Sequence, residues 1–198
     1  MKIALLGLLQ SGKSTLFSAI SGKEIPHYGS MTIEEAIVQV PDDRVDWLEK
    51  HYDSRKKVYA TIDCLDLPGF SFIDEHGRAA ARRLISQIRT VDLLVLITRS
   101  FEDPSTPPYR NHLNPAADLQ ELKTELLLAD LELVETRVKN LEKEARKPSK
   151  TSAKDKAELE LYKKLQETIE AEKPISSVIE TDEQLEIVKN LGFLTLKP

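Results

Sequence analysis

GLLQSGKSTLF, residues 7–17, follows a short apolar run from Met1 to Leu6 and leads into a helical pattern that resumes at Lys13 with STLFSAI. Strand, glycine loop and helix in that order are the setting in which Gly7-x4-Gly12-Lys13-Ser14 reads as a Walker A loop. Glycines let the backbone approach phosphate oxygens, so that amides at the helix start point inward at an anion. The nucleotide-binding candidates are therefore Leu9, Gln10, Ser11, Gly12, Lys13, Ser14 and Thr15. Lys13 is expected to bridge the β- and γ-phosphates of ATP or GTP, and the Ser14 hydroxyl to bind Mg²⁺. The plainer alternative is a glycine turn with an exposed lysine.

Working outward, AIVQV (36–40) reads as a strand closed by Pro41, and DDRVDWLEKHY as a helix with an aspartate cap. VYATIDCLDL (58–67) alternates apolar and polar residues before the turn at Pro68 and Gly69. A helix through roughly 77–89 leads to VDLLVLI, a continuous apolar run of the kind buried on both faces. Strands alternating with helices predict an α/β fold, a parallel-type sheet with helices on both faces. From Pro115 the pattern changes: Leu119, Leu122, Leu126, Ala129, Leu133 or Val134, Val138 and Leu141 recur by threes and fours, and Leu161, Leu165 and Ile169 mark a second helix. Between them RKPSKTSAKDK is polar and basic, which predicts an inserted antiparallel helical hairpin with a basic tip. Pro174 breaks the second helix, and TDEQLEIVKNLG reads as a short capped helix ended by Gly192. The expected division is a nucleotide-binding domain over 1–114, the hairpin over 115–173, and a return to the nucleotide domain over 174–198.

Asp66-Leu67-Pro68-Gly69 closes the second long strand, where a carboxylate can hold Mg²⁺ and the Gly69 amide can meet a γ-phosphate. A strand ending in a Pro-Gly turn needs no function by itself; the glycine loop on another strand of the same sheet gives it one. Thr32, between the first helix and the AIVQV strand, stands where a switch threonine would coordinate Mg²⁺, although a loop threonine has many structural explanations. Lys13, Thr32 and Gly69 are the catalytic candidates, and Ser14, Thr32 and Asp66 the Mg²⁺ candidates. Phe70 occupies the place where many GTPases carry a water-orienting glutamine, so water must be held differently; His76 and His112 are candidates for that role, with a surface histidine as the plainer reading of each. The tip residues Arg146, Lys147, Lys150, Lys154 and Lys156 are suited to RNA phosphates or to a solvated loop.

The bulk numbers exclude some classes. A net charge of −5 argues against a chain whose whole surface grips nucleic acid. The apolar run LLVLI is far shorter than the roughly 20 residues of a membrane helix, and the N-terminus has no small-residue cleavage site. One cysteine, Cys64, makes neither an internal disulfide nor a cysteine-cluster metal site, and a cytoplasmic location is expected.

Together, GLLQSGKSTLF, the threonine of MTIEE, VPDDRVDWL, DLPG, RSFEDP, DLQELKTELLLADLELVE and FLTLKP resemble the Obg-like ATPase family, also called YchF. The resemblance implies a P-loop domain of the translation-factor class with a helical hairpin inserted, ATP or GTP hydrolysis, and association with ribosomes or RNA. Such proteins normally continue past LKP into a strand bearing an NxxE base-recognition motif and then a TGS domain, whereas this sequence ends at Pro198. Gln10 stands where the family usually has asparagine, a residue linked to potassium binding. FSFIDEHGR is shorter than the family's glycine-rich segment after DxxG, and the histidine expected near Pro108 is absent. A hydrophobic residue after DxxG is what the family leads one to expect, and Phe70 fits.

Overall fold

A computed structural model describes residues 1–24, 32–145 and 153–198. Its regular elements are β1 (Lys2–Gly7), α1 (Lys13–Ser21), β2 (Glu34–Val40), α2 (Asp43–Tyr52), β3 (Ala60–Asp66), α3 (Glu75–Gln87), β4 (Leu93–Ile97), α4 (Pro115–Ala145), α5 (Ala153–Glu170) and α6 (Asp182–Asn190). In β1, Leu5 faces one side of the sheet and Ala4 and Leu6 the other. All three are at most 2% exposed. The strand is covered on both faces, which is why its sequence is apolar without alternation.

The four strands form one sheet in the order β2-β3-β1-β4. β1 runs parallel to β3, with Leu5 opposite Asp66, and parallel to β4, with Gly7 opposite Ile97. β2 departs from the parallel expectation: it runs antiparallel to β3, with Glu34 opposite Asp66 and Val40 opposite Ala60. Alternating strands and helices imply parallel pairing only when each connection crosses back to the end of the sheet at which the preceding strand began. Here β2 starts level with Asp66, the last residue of β3, so it runs back along its neighbour. Residues 41–59, including α2, then turn at that far end into β3.

The chain divides into two compact units, Met1–Leu84 with Val91–Leu119, and Ile85–Thr90 with Gln120–Pro198. These units follow contacts, whereas the sequence-based division at 114 and 173 follows motifs; by contacts, residues 174–198 group with the helical segment. In the first unit α1 lies on the sheet through Phe17, which packs with Leu5, Ala36 and Cys64. Burying one such ring contributes about 1.5–3 kcal/mol. Asp42 caps α2 by accepting the Arg44 amide at 2.9 Å, as DDRVDW implies.

In the second unit Val134, Val138 and Leu141 of α4 share a core with Leu161, Tyr162, Leu165 and Ile169 of α5. Arg137–Glu158 and Lys163–Glu142 ion pairs, each 2.8 Å, flank it. Ile175, Val188 and Phe193 close the same core. Thr181 and Gln184 form a reciprocal capping box at the start of α6. Asp130 of α4 is fully buried and accepts from Arg89 Nη1 at 2.7 Å, the Leu194 amide at 3.1 Å, and the Thr195 amide and hydroxyl at 2.9 Å each. One carboxylate thus ties FLTLKP to the middle of α4. Arg146, Lys147 and Lys150 of the basic tip lie outside the described residues, as does the Lys154 side chain; Lys156 is exposed on α5.

Candidate functional site

The loop between β1 and α1 needs both of its glycines, for different reasons. A β-carbon at Gly7 would lie 2.4 Å from Ser11 Oγ and 2.7 Å from the Ile97 carbonyl, so the loop closes only over a bare backbone. Gly12 has φ of 88°, in the left-handed region that resists a side chain, and a β-carbon there would press on the Phe101 ring at 3.3 Å. Gly12 also stands at the N-cap of α1 and offers no side chain to the helix's first amides. Those amides, with the positive end of the helix dipole, suit an anion.

At the same end, Lys13 Nζ lies 2.6 Å from Asp66 Oδ1 and 3.4 Å from Ser14 Oγ. The Lys13 and Asp66 side chains are only 5% and 3% exposed. The sheet explains the meeting: Asp66 ends β3 beside Leu5 of β1, and α1 begins where the β1 loop closes. The donors offered to a cation are a carboxylate and a hydroxyl, hard oxygens that fit Mg²⁺ bound jointly with substrate phosphates. No group of three or more His, Cys, Asp or Glu side chains among the described residues forms a metal cage, and a cation shared with phosphates needs none. Burial, then the Asp66 charge, pushes the Cys64 thiol up, so it stays a neutral core group.

Gly69 packs against Leu9, whose Cα would be 3.0 Å from an added β-carbon. The turn is stitched to the loop by the Leu9 amide to the Phe70 carbonyl at 3.0 Å and the Phe70 amide to the Gly7 carbonyl at 2.9 Å. Gln10 holds φ of 62°. Ser11 is buried and its hydroxyl has no hydrogen-bond partner among the described residues; it borders a cavity of about 10 Å³, room for roughly one water, shared with Thr98, Tyr109 and Asp118. Thr15 is exposed on the first turn of α1. Thr32 is exposed, its hydroxyl donating to Glu34 Oε1 at 3.3 Å, and the Glu34–Asp66 register places it at the Asp66 end of the sheet. His76 and His112 are exposed, as read from sequence.

Sequence reasoning missed the second wall. Arg99 is 4% exposed and donates to the carbonyls of Phe101, Thr106 and Pro107, folding RSFEDP into a loop whose Phe101 ring rests on Gly12. The Phe72 amide donates to Tyr109 Oη at 2.8 Å, joining that loop to the segment after DLPG. The signal was the arginine just after the apolar run VDLLVLI. Leu93–Ile97 of that run is half-buried, not buried on both faces as its composition implies, because β4 is an edge strand of the sheet. Arg99 itself is enclosed, and a buried charge needs several acceptors.

A family model described as the 50S ribosome-binding GTPase matches residues 2–181. The chain belongs to that family, on its Obg-like ATPase (YchF) branch. It is 36% identical to the ribosome-binding ATPase YchF of Bacillus subtilis, over 98% of this chain and 53% of the relative. It is 31% identical to the Obg-like ATPase 1 of Oryza sativa, over 100% of this chain and 51% of the relative. The solved structure of the Schizosaccharomyces pombe YchF GTPase superposes with a TM-score of 0.75 at 27% identity, over the whole of this chain and 55% of that one. The chain thus spans about half the length of the curated relatives it matches. No described helix is long and apolar enough to cross a membrane.

Proposed function

We propose that this chain binds a Mg²⁺ complex of ATP or GTP on residues 9–15 and hydrolyses it slowly, as the nucleotide-binding part of a cytoplasmic, ribosome-associated regulatory NTPase. The observation that supports it best is the convergence of Lys13, Ser14 and Asp66 at the uncapped start of α1. In this reading Lys13 and the first-turn amides hold the phosphates, and Ser14, Asp66 and Thr32 hold the cation, which supplies charge neutralisation at the transferring phosphoryl group. The Gly69 amide meets the terminal phosphate, and Thr32 and Gly69 report its presence to their segments. The relatives named for ribosome binding support a ribosomal or RNA partner, with the basic tip at 146–156 as the contact.

Slow turnover follows from Phe70. Its ring is 2% exposed and packs on Phe72 at 5.9 Å, so the position after Gly69 holds no side chain that orients water. The same observation favours a second reading, a nucleotide-responsive binding module whose hairpin docks on RNA or a protein without turnover. A phosphate-release assay with ATP and GTP, with and without potassium, separates them. Slow release that Lys13→Ala abolishes supports the NTPase; the absence of release alongside measurable binding supports the module.

A further inference from the structure

Lys13 and Asp66 carry the charges that a metal–triphosphate complex must meet, and the fold has set them on each other. The ammonium is 2.6 Å from the carboxylate, both side chains are at most 5% exposed, and Nζ also lies 3.4 Å from Ser14 Oγ. The lysine therefore occupies two of the three side chains assigned above to the cation, while the Thr32 hydroxyl lies with Glu34.

We infer that Asp66 makes this site select the metal–triphosphate complex over free nucleotide, by holding Lys13 until a cation arrives to take its place. The inference rests on the nucleotide reading above. A free polyphosphate that draws Lys13 away leaves Asp66 buried and uncompensated, with further negative charge brought beside it. A triphosphate that carries its cation avoids both penalties. Lys13 then turns to phosphate oxygens as the cation takes up Asp66 and Ser14, and each charge keeps an opposite neighbour throughout. Cation and triphosphate consequently bind with positive coupling, and coupling of this kind is reciprocal. The geometry permits the exchange because Lys13 sits on the first turn of α1 while Asp66 is fixed in the sheet, so a side-chain rotation suffices.

The test has two arms on the full chain. In the nucleotide-free protein, thermal denaturation of Lys13→Met, Asp66→Asn and the double variant forms a cycle. Each single variant is expected to lower Tm, and the double variant to lower it by less than the sum; additive shifts overturn the inference. In the second arm, titration calorimetry measures ATP and GTP with Mg²⁺ and with EDTA. Wild-type affinity is expected to fall by about tenfold or more without the cation, and Asp66→Asn to bind metal-free nucleotide more tightly than wild type does. Metal-free binding unchanged or weakened by Asp66→Asn overturns the inference while leaving the nucleotide reading in place. A wild-type chain that binds neither form, with the Tm coupling intact, overturns the nucleotide reading itself and this inference with it.

Discussion

Gln10 holds φ of 62°, a left-handed conformation that costs a residue with an ordinary β-carbon about 1–2 kcal/mol and that asparagine and glycine tolerate better. Gln10→Gly is therefore expected to raise the urea midpoint by the equivalent of about 0.5–1 kcal/mol, provided the loop keeps its closure; an unchanged or lowered midpoint contradicts this. Asp42 shows a pH dependence at the same scale. Its hydrogen bonds to the Arg44 side chain and amide lower its pKa from 3.8 to about 2. A lowered carboxyl contributes stability that is fully present above the ordinary value and disappears as pH falls through the folded one. The cap on α2 should thus hold at pH 4 and above and be lost toward about pH 2. An NMR titration of the Asp42 carboxyl with its midpoint near 3.8 contradicts the cap geometry.

Among the elements, β1, the loop and α1 were legible because a short apolar run, two glycines and a helical period each leave a local mark. The direction of β2 was not, since pairing direction depends on where Glu34 starts relative to Asp66, and nothing in AIVQV encodes that. Asp130 was illegible for a related reason: its partners Arg89, Leu194 and Thr195 lie 41 to 65 residues away, and periodicity sees only a polar residue between leucines. Arg99 escaped notice because its acceptors are backbone carbonyls, which carry no residue-type signal. The leucine seam from 119 to 141 was readable as a helix, and the buried members of the α4–α5 core give it a measurable weight. Leu165 is fully buried there, and Leu165→Ala is expected to cost about 2–5 kcal/mol by chemical denaturation. Leu128, 43% exposed on α4, serves as control, with Leu128→Ala expected within about 0.5 kcal/mol of wild type. Equal losses at the two positions contradict the packing.

For the whole molecule, the family assignment and the site geometry come from different observations and point the same way. The family model matches residues 2–181, and the convergence of residues 12–14 with Asp66 stands on distances alone. The sequence already held Gly12, Lys13, Ser14 and Asp66 as a set, because each belongs to a short motif. Thr32 was readable only as a position, and its side chain lies with Glu34 in this structure. What the three-dimensional arrangement adds is that Lys13 and Asp66, 53 residues apart, share one buried contact. In the proposed site the Lys13 ammonium is the group that takes the phosphates. Titration calorimetry of wild type and Lys13→Ala with Mg²⁺ and ATP or GTP tests it most directly, with circular dichroism to confirm folding. A lysine that holds the β- and γ-phosphates predicts binding by the wild type and its loss, by about a hundredfold or more, in the variant. Equal affinity in the two folded proteins contradicts it.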